Sequence, residues 1–203
     1  MRRKFRSGLL AAPILALALN LVGTGAPAPA WPQTAKPKPG PQKQAPPPQV
    51  HYGIKDLPQP VLDMREALLA AIESGDIEDL RHAYDLGDLK PDLGAARKTD
   101  PVQHWKRISG DGQGREVLAA LSLILDAGYV VLPLGPDLEN NRVYVWPYFA
   151  EWPLDKLTAG QEVELLRLMP HSAARAMKDK GKYSHWRLAI GADGTWHALR
   201  KGE

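Results

Sequence analysis

The chain has 203 residues, of which 44% are apolar and 24% charged, the balance of one globular domain with tails rather than of a disordered chain. It contains no cysteine, which excludes disulfides, thiolate metal sites, iron–sulfur clusters, cysteine nucleophiles and a lipid-bearing N-terminal cysteine. The net charge of +3 misleads, because seven of the 26 basic residues and none of the 23 acidic ones lie in residues 1–50. Residues 51–203 therefore carry 19 basic against 23 acidic residues, a net of −4, and lack the basic footprint that a nucleic-acid binder needs.

Residues 1–30 have the form of a secretory signal. Arg2, Arg3, Lys4 and Arg6 precede an apolar run from Gly8 to Val22, and Ala28-Pro29-Ala30 offers a small-x-small cleavage site before Trp31. The run is about 15 residues, short of the roughly 20 that span a bilayer, so no stable membrane span is expected after cleavage. Arg2-Arg3-Lys4-Phe5 fits the core of a twin-arginine signal, but no Ser or Thr precedes it, and the general secretory route is favoured. A periplasmic or secreted location follows. Residues 31–50 hold seven of the 19 prolines together with Lys36, Lys38 and Lys43. Proline fixes φ and removes donors, which predicts an extended cationic spacer reaching on the order of 60 Å.

Residues 51–203 are expected to form a single α+β domain. Pro60 opens a helix from Val61 to about Ser74, with Val61, Met64, Leu68, Leu69 and Ile72 on one face. Asp76 caps a second helix that runs to about Leu86. Asp88 to Lys98 reads as loop, and Asp100-Pro101 starts a short helix through Trp105 and Ile108. Arg115 to Ala127 carries Val117, Leu118, Leu121, Leu123, Ile124 and Leu125 and is expected to be the central buried helix, with Gly128 at its C-cap. Tyr129 to Leu132 and Arg142 to Phe149 read as strands. Thr158 and Gln161 form a capping box for the next helix; Pro170 interrupts it, and another short helix ends at Gly181. Tyr183 to Ile190 and Thr195 to Arg200 complete a small antiparallel sheet as a hairpin. Pairing Ile190 with Thr195 would put Trp186, Leu188, Ile190 and Leu199 on one face and His185, Arg187, Trp196 and Arg200 on the other. Helices first and antiparallel strands later is an α+β order.

Two resemblances rest on these residues. The run from Ala70 to Leu80, with its Ser74-Gly75-Asp76 break, is similar to the opening helix pair of the cone-shaped nuclear-transport-factor/SnoaL-like domains, and Asp193-Gly194-Thr195-Trp196 is similar to their closing hairpin. That resemblance implies a curved sheet wrapping a helix around a pocket. More of the chain, about residues 52–200, resembles a group of uncharacterised exported proteins of Gram-negative bacteria, through Val143 to Ala150, Pro153 to Thr158 and Asp193 to His197. This second resemblance implies export and a single domain, and no activity.

No string of a known catalytic site occurs: there is no G-x-S-x-G, H-E-x-x-H, P-loop or G-x-G-x-x-G. Asp111-Gly112-Gln113-Gly114 precedes a helix whose amides suit an anion, yet it lacks the P-loop lysine and hydroxyl. The six histidines show no i, i+4 pair on a helix, so no metal and no cofactor are expected. A His/carboxylate pair with His185 or His197 as base and Asp193 or Glu151 as orienter suits acid–base work. The competing outcome is a histidine hydrogen-bonded at a sheet surface. Trp146, Tyr148 and Trp152 are close enough in sequence to form one aromatic patch for stacking on sugars, while strand alternation puts Tyr144, Trp146 and Tyr148 on a single face, of which part must be core. These features together predict an exported cell-envelope binding or structural protein that contacts peptidoglycan, a peptide or an envelope protein. The alternative is a small cone-fold enzyme or small-molecule-binding domain with His and Asp in a pocket.

Overall fold

A computed structural model describes residues 46–202 except 88, 97 and 136–140. The expected signal, most of the spacer and most of the loop before Arg142 lie outside the described residues. The fold is α+β: among the described residues there are six α-helices and a five-stranded antiparallel sheet ordered β1-β2-β3-β4-β5. The strands are β1 (Val50–His51), β2 (Tyr129–Pro133), β3 (Arg142–Trp146), β4 (Trp186–Gly191) and β5 (Trp196–Lys201). Between β1 and β2 the chain inserts α1 (Gln59–Ser74), α2 (Leu80–Asp85), α3 (Pro101–Ile108) and α4 (Arg115–Leu125). Between β3 and β4 it inserts α5 (Ala159–Leu168) and α6 (His171–Lys180).

Each insertion covers one face of the sheet. Side chains alternate along a strand, so Tyr129, Tyr144, Trp146, Trp186, Leu188, Ile190 and Leu199 share a core with α1–α4. Val130, Val143, Val145, Ala189 and Ala198 share the other core with α5 and α6. The strands present large rings to the first core and small aliphatic side chains to the second. The sheet edges are blunted at both ends, as edges that could template aggregation usually are. β1 is two residues long. Beside β5, Asp92 makes a one-residue parallel bridge, its N–H donating to His197 O at 2.8 Å and its carbonyl accepting from Leu199 N at 3.0 Å.

Several expectations are corrected. Leu123 of α4 is 46% exposed, while Val117, Leu118, Leu121, Ile124 and Leu125 are buried, so the helix is amphipathic rather than enclosed. Gly128 is not its C-cap, a place taken by Asp126. A Cβ on Gly128 would lie 2.8 Å from the Tyr52 ring and 3.1 Å from the Tyr148 ring, so close packing requires the glycine. β3 stops at Trp146, because Pro147 has no N–H to extend a ladder; the Trp146–Pro147 peptide is cis and Tyr148–Ala150 form a 3₁₀ turn. The closing hairpin pairs Ile190 with Trp196 and Ala189 with Ala198. His197 is the extra residue of a β-bulge, which reverses the facing of everything before it. Trp196 therefore joins Trp186, Leu188 and Ile190 in the first core, stacked on Trp105 at 6.0 Å and 13°.

Candidate functional site

The three rings proposed as an aromatic patch do not share a surface. Trp146 is 1% exposed and packs 4.9 Å from Tyr129 in the first core. Tyr148 is fully buried in the second core, 4.0 Å from Phe149. The early end of β3 separates them, since the 3₁₀ turn carries Tyr148 to the opposite side of the sheet. Trp152, edge-on to Tyr148 at 5.7 Å, is half-buried. An enclosed ring offers no face to a sugar, so Trp146 and Tyr148 serve packing.

Of the four acid–base candidates only Asp193 and His197 come together. Glu151 forms an ion pair with Arg187 at 3.5 Å. His185 lies beside the Leu168 carbonyl at the end of α5, and burial, aided by the Lys201 charge, pushes its pKa below the ordinary histidine value. Asp193 and His197 do come together, at the end of the closing hairpin. A Cβ built on Gly191 would meet Asp193 Oδ1 at 2.5 Å and His197 Nε2 at 2.8 Å, so both side chains close over the bare glycine backbone. They do not hydrogen-bond to one another. Asp193 is instead spent on its own turn, accepting from Thr195 N and Thr195 Oγ1, both at 2.9 Å. The Thr195 amide is the first cause that holds its carboxyl below the usual range.

His197 lines a cleft of about 780 Å³ between α2, the 89–99 segment and β5. The hollow that Asp193 shares with Asp63, Met64 and Leu86 is about 260 Å³. The larger volume is within the range of small-molecule and peptide sites. Its wall combines Tyr84, Leu89, Pro91, Ala95 and Ala96 with Lys90, Asp92, Thr99 and His197. The wall is tied down at several points. Asp92 accepts from Gly94 N at 2.9 Å and pairs with Arg200 Nε at 2.9 Å. Lys90 donates to Tyr84 O and Asp85, and its ammonium lies 4.8 Å from the centre of the Tyr84 ring. His104, only 6% exposed, donates from Nε2 to Leu93 O at 3.1 Å and accepts at Nδ1 from Arg107 at 3.1 Å. Composition alone marks 88–98 as loop. Its cleft comes from tertiary docking onto β5, for which the Asp92-Leu93-Gly94 turn is the one local signal.

The amides before α4 are not an open anion site. Asp111 fills them, accepting from Gln113 N and Gly114 N at 3.0 Å each and from Ser109 Oγ at 2.5 Å. Among the described residues no group of three or more His, Asp or Glu could hold a metal ion, and no helix is long and apolar enough to cross a membrane. No protein-family model, curated protein or solved structure matches this chain.

Proposed function

We propose that this protein is an exported envelope binding protein, whose α+β domain takes a peptidoglycan fragment or a short peptide of an envelope partner into the cleft beside β5. The observation that carries this reading is the cleft itself: about 780 Å³, with apolar side chains and Lys90, Asp92, Thr99 and His197 in one wall. A peptide-bearing glycan has both characters, apolar ring faces and alkyl stems beside charged and hydroxylated groups. The leader, the Pro/Lys spacer and the resemblance to exported Gram-negative proteins support the location.

The test is a thermal-shift panel on the full chain with soluble peptidoglycan fragments, nucleotides and small acids. A ligand at 100 times its Kd stabilises by about 2.7 kcal/mol, worth roughly 5–10 °C for a domain of this size. A rise with peptidoglycan fragments is expected, and it should vanish in Ala96→Trp, which fills the cleft from an exposed position. A flat panel, or a rise that survives Ala96→Trp, refutes the reading. The meeting of Asp193 and His197 over Gly191 favours a second reading, a small enzyme or small-molecule-binding domain. That reading requires a turnover or a binding signal from the small acids that His197→Gln abolishes.

A further inference from the structure

His104, only 6% exposed, is a titratable side chain that ties the cleft wall to α3. Both of its ring nitrogens are engaged, one with Leu93 O in the cleft wall and the other with Arg107 on its own helix. That pattern defines one protonation state: Nε2 carries the hydrogen and Nδ1 accepts. We propose that His104 is a proton-operated latch on the cleft, its neutral imidazole holding the 91–96 wall against α3 and its protonation releasing that wall. The ligand-site reading gives the latch its purpose, though the latch itself stands on geometry independent of any ligand.

The charges around the ring leave a cation there uncompensated. A proton on Nδ1 would turn the acceptor into a donor facing the Arg107 guanidinium, charge against charge. Four carboxylates of the adjoining elements are already paired, Asp92 with Arg200 of β5, Asp100 with Arg81 of α2, Asp85 with Lys90, and Glu78 with Lys106, and Asp79 beside them is exposed to solvent. Across the cleft stands His197, which brings no carboxylate. Burial first, and then the Arg107 charge, hold the ring below the ordinary histidine value, against the opposite pull of the Leu93 carbonyl. An imidazolium here is hydrated only if the ring leaves its site, and leaving breaks the bond to Leu93. Among the described residues the segment is then held to β5 by the Asp92 bridge and its ion pair with Arg200.

The test measures backbone amide exchange of the full chain by NMR at pH 7.5 and pH 5.0, as protection factors that remove the intrinsic pH effect on exchange. The Asp92 and Leu199 amides close the bridge to β5 and report the wall. One coupled proton changes an opening equilibrium by at most tenfold per pH unit below about 6.5, so their protection should fall by up to about 30-fold. The loss should persist in His185→Gln and vanish in His104→Gln, whose amide can still donate to Leu93 O. Imidazole proton shifts of the unmodified chain supply a second readout, with the loss of wall protection levelling off at the His104 midpoint. Protection that does not change with pH, an equal loss in His104→Gln, or a His104 midpoint at the ordinary value each overturns the latch. A flat ligand panel beside a pH-dependent wall would remove the ligand reading and leave the latch standing.

Discussion

Trp146 and Trp152 are six positions apart and each precedes a proline, yet their environments differ completely. Trp146 is packed against Tyr129 and Tyr144 in the first core. Trp152 is half-buried at the border of the second. Replacing a buried tryptophan by alanine removes its transfer free energy and leaves a cavity, together about 3–5 kcal/mol. Trp146→Ala should lose that amount in urea unfolding, whereas Trp152→Ala should lose about 1 kcal/mol, the ordinary size of a partly buried change. Similar losses for both would contradict the separation of the two rings. The patch rests on closeness in sequence alone; alternation sets part of it in the core, but carries Tyr148 onto the face of Trp146 past Pro147, beyond the strand's end at Trp146. The Asp193–His197 pair was legible, because a Gly-Ala-Asp-Gly turn places both side chains at one end of a hairpin whatever its register. Glu151 and His185 were not, since each is oriented by a contact distant in sequence, Arg187 and the α5 terminus.

Elements were legible wherever a local rule decides them. Thr158 and Gln161 make both hydrogen bonds of the capping box, and Gly181 ends α6 in the left-handed conformation at φ 64°. Facing was less legible, because a single inserted residue shifts it. His197 in the bulge moves Trp196 into the first core, and no local property of the residue announces that. Helix α4 presents the same lesson in helical form: six apolar positions suggested full enclosure, but α4 meets the sheet with one side only. Leu121 and Leu123, separated by a single position, should therefore behave oppositely. Leu121, fully buried, should cost 2–5 kcal/mol on truncation to alanine. Leu123, 46% exposed, should accept lysine within about 0.5 kcal/mol. Chemical denaturation of the two variants decides it, and a large loss in Leu123→Lys would mean that this face of α4 is covered in solution.

At the scale of the whole molecule, two helical insertions close a meandering sheet from both sides, and each traps a histidine. His104 sits against the 91–96 wall, and His185 at the end of α5. Both are held below the ordinary histidine value, by burial first in each case. The unfolded chain binds a proton on each near pH 6.5, where the folded chain does not. Stability from these sites is therefore complete above about pH 6.5 and declines as pH falls toward the folded-state values. A second decline follows at lower pH, because Asp193, Asp100 and Asp111 are held below the usual carboxylate range: Asp193 by its bond from Thr195 N, Asp100 by Arg81, and Asp111 by Ser109. Their contribution is present above about pH 4 and disappears as they take up protons. The expected profile of urea midpoint against pH is thus a plateau above neutrality, a first fall that begins near pH 6.5, and a second below about pH 4. Combining His104→Gln with His185→Gln should flatten the first fall and leave the second in place, since none of the three carboxylates contacts either histidine. A first fall that survives the double substitution would assign it to another group and remove acid sensitivity as a property built into the two cores.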